Sequence, residues 1–180
     1  METTAKSYHE VLASNPTLVD YVRVVTEMIH CGAARKASGF SVEVGPIKQA
    51  LEHSFFRIHG PRQSGMTLAI KELATEPTDL VLFKDLHNLT LFRENPLHKK
   101  SRALLRSATT DYSREVRANL PEFDKMQRAG KLMPIGEDGF KPKRIFLDES
   151  TTWFYREFDE RSFIRWCTHR FGEVPLIIGL

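Results

Sequence analysis

Gly60-Pro61-Arg62-Gln63-Ser64-Gly65-Met66-Thr67 is the stretch on which the reading of this chain turns. It matches the pattern G-x-x-x-x-G-K-[ST] at every fixed position except the lysine, where Met66 stands. Glycines at this spacing let the backbone fold back until successive N–H groups point at one anion, and a helix starting behind them adds its positive N-terminal dipole. The hydroxyl of Thr67 would then reach a hard divalent cation. The neighbours on both sides fit. Ser54-Phe55-Phe56-Arg57-Ile58 reads as a short strand, and Leu68, Ile70 and Leu73 fall in a helical register from Met66 to Ala74.

Beyond this helix, Leu80-Val81-Leu82-Phe83 reads as a second buried strand. Arg144-Ile145-Phe146-Leu147 is a third, running into the adjacent acids Asp148 and Glu149. Phe163, Ile164, Cys167 and Phe171 share one face of a helix, and Val174-Pro175-Leu176-Ile177-Ile178-Gly179-Leu180 supplies a last apolar strand. Strands that are apolar almost throughout, alternating with helices, predict an α/β fold with a mostly parallel sheet covered on both faces.

The first fifty residues differ in texture. Ser7 and Glu10 have capping-box spacing. Asn15-Pro16-Thr17 signals a helix start, and Leu18, Val22, Val25 and Ile29 form one apolar face of a helix ending near Gly32. Phe40, Val42 and Val44 alternate with polar neighbours as a short strand would, and Ile47 to Glu52 reads as another helix. The expected organisation is a helical N-terminal extension over 1–50 packed on a core over 51–180.

With 180 residues there is room for one domain of ordinary size, 41% hydrophobic and 27% charged. No apolar run approaches the roughly 20 residues of a membrane-spanning helix. Two cysteines, Cys31 and Cys167, make neither a disulfide framework nor a metal site. The expected setting is therefore cytoplasmic, without a membrane partner. The formal net charge is +3, and one block more than accounts for it. Residues 99–131 hold nine basic side chains against four acidic ones. Lys99, Lys100, Arg102, Arg106, Arg114 and Arg117 are its candidates for phosphate contact, which makes DNA a candidate partner. Helices and loops are expected there, with Arg102 and Arg106 one turn apart.

The phosphate-loop pattern and the strand ending in Asp148-Glu149 together resemble the P-loop NTPases that carry a catalytic glutamate after the Walker B aspartate. The Arg62-Gln63-Ser64-Gly65-Met66-Thr67 form is similar to the R-Q-x-G-K-T loop common in the large terminase subunits that package viral DNA. The resemblance implies a three-layer P-loop fold with a four-stranded sheet in which Leu176–Gly179 lies between the loop strand and the acidic strand. It implies ATP and Mg²⁺ as cofactors. Gly60, Pro61, Arg62, Gln63, Ser64, Gly65, Met66 and Thr67 would bind nucleotide, with Thr67 and Asp148 on the metal, Arg62 on the γ-phosphate and Glu149 orienting water. An oligomer or a partner ATPase could contribute, with Arg156 or Arg170 reaching a neighbouring site. A viral member of this class would work in the host cytoplasm.

Met66 departs from that pattern. A charge-assisted hydrogen bond is worth about 1.5–3 kcal/mol, so losing the lysine weakens binding by roughly 10- to 150-fold. Hydrolysis suffers more, because the lysine also offsets charge that develops during phosphoryl transfer. Two functions follow. One is a nucleotide-binding domain with weak or absent hydrolysis. The other is a degenerate NTPase fold kept to bind DNA or a partner protein.

Overall fold

A computed structural model describes residues 6–38, 45–61, 64–95, 102–107, 115–118, 120–131, 139–150 and 159–180. In chain order the elements are α1 (Tyr8–Ser14), α2 (Tyr21–Ala37), α3 (Pro46–His53), β1 (Phe55–Arg57), α4 (Met66–Leu73), β2 (Asp79–Phe83) and α5 (Leu86–Glu94). They continue with β3 (Leu104–Ser107), α6 (Leu120–Arg128), β4 (Arg144–Leu147), α7 (Glu160–Phe171) and β5 (Leu176–Gly179).

The five strands form one sheet in the order β1-β5-β4-β2-β3, with every neighbouring pair parallel. The C-terminal strand is therefore central: Ile177 pairs with Phe55 on one side and Ile145 on the other. Successive side chains on a strand face opposite ways, and each face of this sheet is apolar. Leu80, Leu82, Ile145, Leu147 and Ile177 face a cluster closed by Ala50 of α3, Phe123 of α6 and Phe163, Ile164 and Phe171 of α7. Val81, Phe83, Phe146 and Ile178 face the other cluster, closed by Tyr8 of α1, Val25 of α2, Ile70 of α4 and Phe92 of α5. The result is helix, sheet and helix in three layers. Two faces covered by helices leave no polar side for the sheet, which is why β2 is buried at all five positions.

Several local expectations hold. Ser7 and Glu10 form a complete capping box on α1. Asp159, which the pattern did not single out, caps α7 by accepting the Ser162 N–H. Cys167 and Trp166 are buried core residues, and burial pushes the Cys167 thiol well above its usual range. Others are corrected. The sheet has a fifth strand, β3, inside the basic block, so Arg106 lies on a strand and not one helical turn from Arg102. The Asn15-Pro16-Thr17 stretch makes a turn, with Asn15 accepting from Thr17, and α2 begins only at Tyr21. That helix runs past Gly32 to Ala37; Gly32 sits where a side chain would collide with the ring of Phe56. The strand expected at Phe40, Val42 and Val44 lies outside the described residues.

At the edge where β2 and β4 begin, Asp79 is wholly buried and Arg144 grips it through two hydrogen bonds, Nε to Oδ1 at 2.8 Å and Nη2 to Oδ2 at 2.6 Å. These two residues are register partners, so the pair pins β2 against β4. The opposite edge, where the strands end, carries the candidate site, as is general for open parallel sheets.

Candidate nucleotide site at the strand ends

β1 ends at Arg57 and leads through His59 to Gly60; α4 starts at Met66. The described part of the loop is Gly60, Pro61, Ser64, Gly65, Met66 and Thr67, while Arg62 and Gln63 lie outside the described residues. Gly65 caps α4 with φ of 99°, a left-handed conformation that strains any residue with a Cβ. That is the local reason for the second glycine of the pattern. Met66 is the first helical residue and packs, half-buried, against the apolar cluster of α1, α2, α4 and α5.

The residues just before and at the start of α2 lie across this loop. Val19 donates its N–H to the Ser64 carbonyl at 3.0 Å. The buried Tyr21 and Ser64 hydroxyls are 2.9 Å apart. A Cβ on Gly60 would run into the Tyr21 hydroxyl, so any side chain there would have to displace that phenol. This bracing is a feature the sequence reading missed. No motif announces it, since its two parts are 43 positions apart and meet only in the fold.

The acid pair lies at the tip of β4. Asp148 is 4% exposed and Glu149 is exposed. The Asp148 N–H donates to Leu82 O and the Ser150 N–H to Leu180 O, so the turn is anchored to β2 and to the C-terminus. Glu149 between them has φ of 56°, the one described residue other than glycine with positive φ. Such a conformation costs of order 1–3 kcal/mol and persists only where the surroundings impose it, most often at functional positions.

One hydrogen bond joins the halves. Thr67 Oγ1 donates to Asp148 Oδ1 at 2.8 Å, linking residues 81 positions apart. Burial pushes the Asp148 carboxyl up to about 6. The Thr67 hydroxyl and Lys71 pull the other way, and Glu149 and Asp85 add to the rise. Hydroxyl and carboxylate oxygens are the hard donors that suit Mg²⁺, an ion that takes one or two protein ligands and completes its shell with water and phosphate. The pair fits that requirement. Among the described residues no group of three His, Cys, Asp or Glu could hold a metal by itself.

Lys71 is a second feature the sequence reading missed. It follows Thr67 by one helical turn on α4 and is 6% exposed. Its ammonium sits 4.9 Å from the centre of the Phe92 ring. Burial lowers its pKa to about 8, against the attraction of Asp148.

The basic block does not assemble a single patch among the described residues. Arg102 is exposed ahead of β3, Arg106 is half-buried and turns its Nη1 to the carbonyl of Leu105, and Arg117 lines a small cavity with Phe123 and Trp166. Lys99, Lys100 and Arg114 lie outside the described residues, as does Arg156. Arg170 lies in the last turn of α7. No described helix is long and apolar enough to cross a membrane.

No family model matches the chain, and neither a curated protein nor a solved structure matches it.

Proposed function

We propose that this chain is a P-loop-type domain that binds Mg-ATP, with hydrolysis weakened or absent because Met66 replaces the loop lysine. The observation that carries the reading is the 2.8 Å bond from Thr67 to Asp148, which joins the hydroxyl of the loop pattern to the acid of the acidic strand. The central place of β5 between β1 and β4 supports it. Backbone amides of the Gly60–Thr67 loop and the α4 N-terminus hold the phosphates. Thr67 and Asp148 hold the ion, which offsets phosphate charge when bound. Arg62 meets the γ-phosphate, and Glu149, turned outward at the tip of β4, orients water in whatever hydrolysis remains. Relation to viral packaging or helicase-like ATPases rests on the loop form Arg62-Gln63 and this strand order.

A second reading has its own observation. Met66 packs into an apolar cluster, so the position serves the core. In that reading the fold is a degenerate module that meets DNA or another protein without nucleotide.

Thermal unfolding with and without Mg-ATP decides between them, for this chain and for Met66→Lys. A ligand that binds only the native state at 100 times its Kd adds about 2.7 kcal/mol, or roughly 5–10 °C for a domain of this size. Millimolar Mg-ATP is expected to raise the Tm of the parent by a few degrees. Met66→Lys is expected to bind roughly 10- to 150-fold more tightly, from the lysine's charge-assisted bond, and to hydrolyse ATP faster than the parent. No shift in either protein removes the nucleotide site and leaves the interaction module.

A further inference from the structure

We infer that Lys71 is the resident cation beside Asp148, a positioning residue that steadies this carboxylate before Mg²⁺ arrives and is opposed to that ion electrostatically; this rests on the metal site proposed above. Lys71 stands four residues after Thr67, so the two side chains lie on one face of α4. Helical side chains lean toward the N-terminus, which brings the Lys71 stem back toward the turn that holds Thr67. Thr67 is itself bonded to Asp148. The ammonium lies over the Phe92 ring, which is packed 4.8 Å from that of Phe83 at the end of β2. A lysine on an apolar helix face ordinarily runs its stem outward and leaves its charge in water. This one is 6% exposed as a residue, its ammonium lies over the Phe92 ring, and the carboxylate that attracts it is Asp148.

The consequence concerns the missing loop lysine. A lysine at position 66 would put its charge on the phosphate side of the ion. Lys71 puts charge on the carboxylate side. It steadies Asp148 in the absence of nucleotide. With an ammonium nearby, Asp148 attracts a free divalent ion weakly, so metal is expected to enter as the nucleotide complex.

Mn²⁺ alone, without nucleotide, is the probe, titrated into the full chain and followed by electron paramagnetic resonance. Lys71→Met is expected to bind Mn²⁺ at least about tenfold more tightly than the parent, a gain of about 1.4 kcal/mol. Lys71→Arg, which keeps the charge, is expected to stay at the parent value. Folding of each is checked by circular dichroism; if Lys71→Met does not fold, Lys71→Gln tests the same loss of charge. Asp148→Asn is expected to abolish binding, leaving the free Mn²⁺ signal undiminished. Asp148-dependent binding that is equal in the parent and the neutral variants overturns the role of Lys71 while leaving the metal site standing. Binding that is absent throughout, or indifferent to Asp148→Asn, overturns both.

Discussion

A chain that stops at Val174 is expected not to fold. β5 is the strand on which the two halves of the sheet meet, pairing with β1 through Phe55↔Ile177 and with β4 through Arg144↔Leu176. Without it, β1 is cut off from β4-β2-β3, and two interior edges lose their hydrogen bonds. Ile177, Ile178 and Leu180 are each at most 1% exposed. Burying one such side chain is worth about 1.5–3 kcal/mol, so the three approach the roughly 5–15 kcal/mol of net stability a domain possesses. The turn at Asp148–Ser150 also loses its anchor, because the Ser150 N–H donates to Leu180 O. Circular dichroism and size exclusion of residues 1–174 measure the outcome. A monomer with a cooperative melting transition would show that β5 is dispensable and that the sheet closes in another way.

The strands around the site were legible because they are buried on both faces. Leu80–Phe83, Ile145–Leu147 and Leu176–Ile178 are unbroken apolar runs, and such runs stand out without any knowledge of their partners. β3 was not legible for the opposite reason. Leu104-Leu105-Arg106-Ser107 lies at the sheet edge, only Leu105 is buried, and its composition merges with the basic residues around it. α5 and α6 carry only two buried residues each, Leu89 with Phe92 and Phe123 with Met126, which is a weak periodic signal. Asp85 caps α5 by accepting from Asn88, and that was a readable start.

Within the site, the loop and the acid pair were readable as spacing, but their union was not. The bond between Thr67 and Asp148, the phenol of Tyr21 against Gly60 and the positive φ of Glu149 all depend on segments far apart in sequence. Lys71 could have been suspected, as a charge four residues after Thr67. Its ammonium lies over Phe92, which belongs to a helix the pattern did not reveal.

Asp148→Asn is expected to make the metal-free protein more stable while removing its response to Mg-ATP. The carboxyl is nearly enclosed, and burial is the first cause of its rise from 3.8 to about 6. A raised carboxyl pKa means that the folded state resists ionisation. Below the unfolded value near 4 the acid is protonated in both states and contributes no penalty. Between about 4 and 6 the native state binds more protons than the unfolded state, so stability falls as pH rises. Above about 6 the whole penalty is present, of order 3 kcal/mol at about 1.36 kcal/mol per unit. Asparagine is neutral at every pH and its carbonyl can still accept from Thr67, so it removes the penalty and keeps the bond. Urea unfolding in the presence of a chelator is therefore expected to show the variant about 2–3 kcal/mol more stable at pH 7 and level with the parent near pH 4. The same variant should show no rise in Tm with Mg-ATP. A parent more stable than Asp148→Asn at pH 7 without metal would mean that Lys71 and Thr67 outweigh the cost of burial.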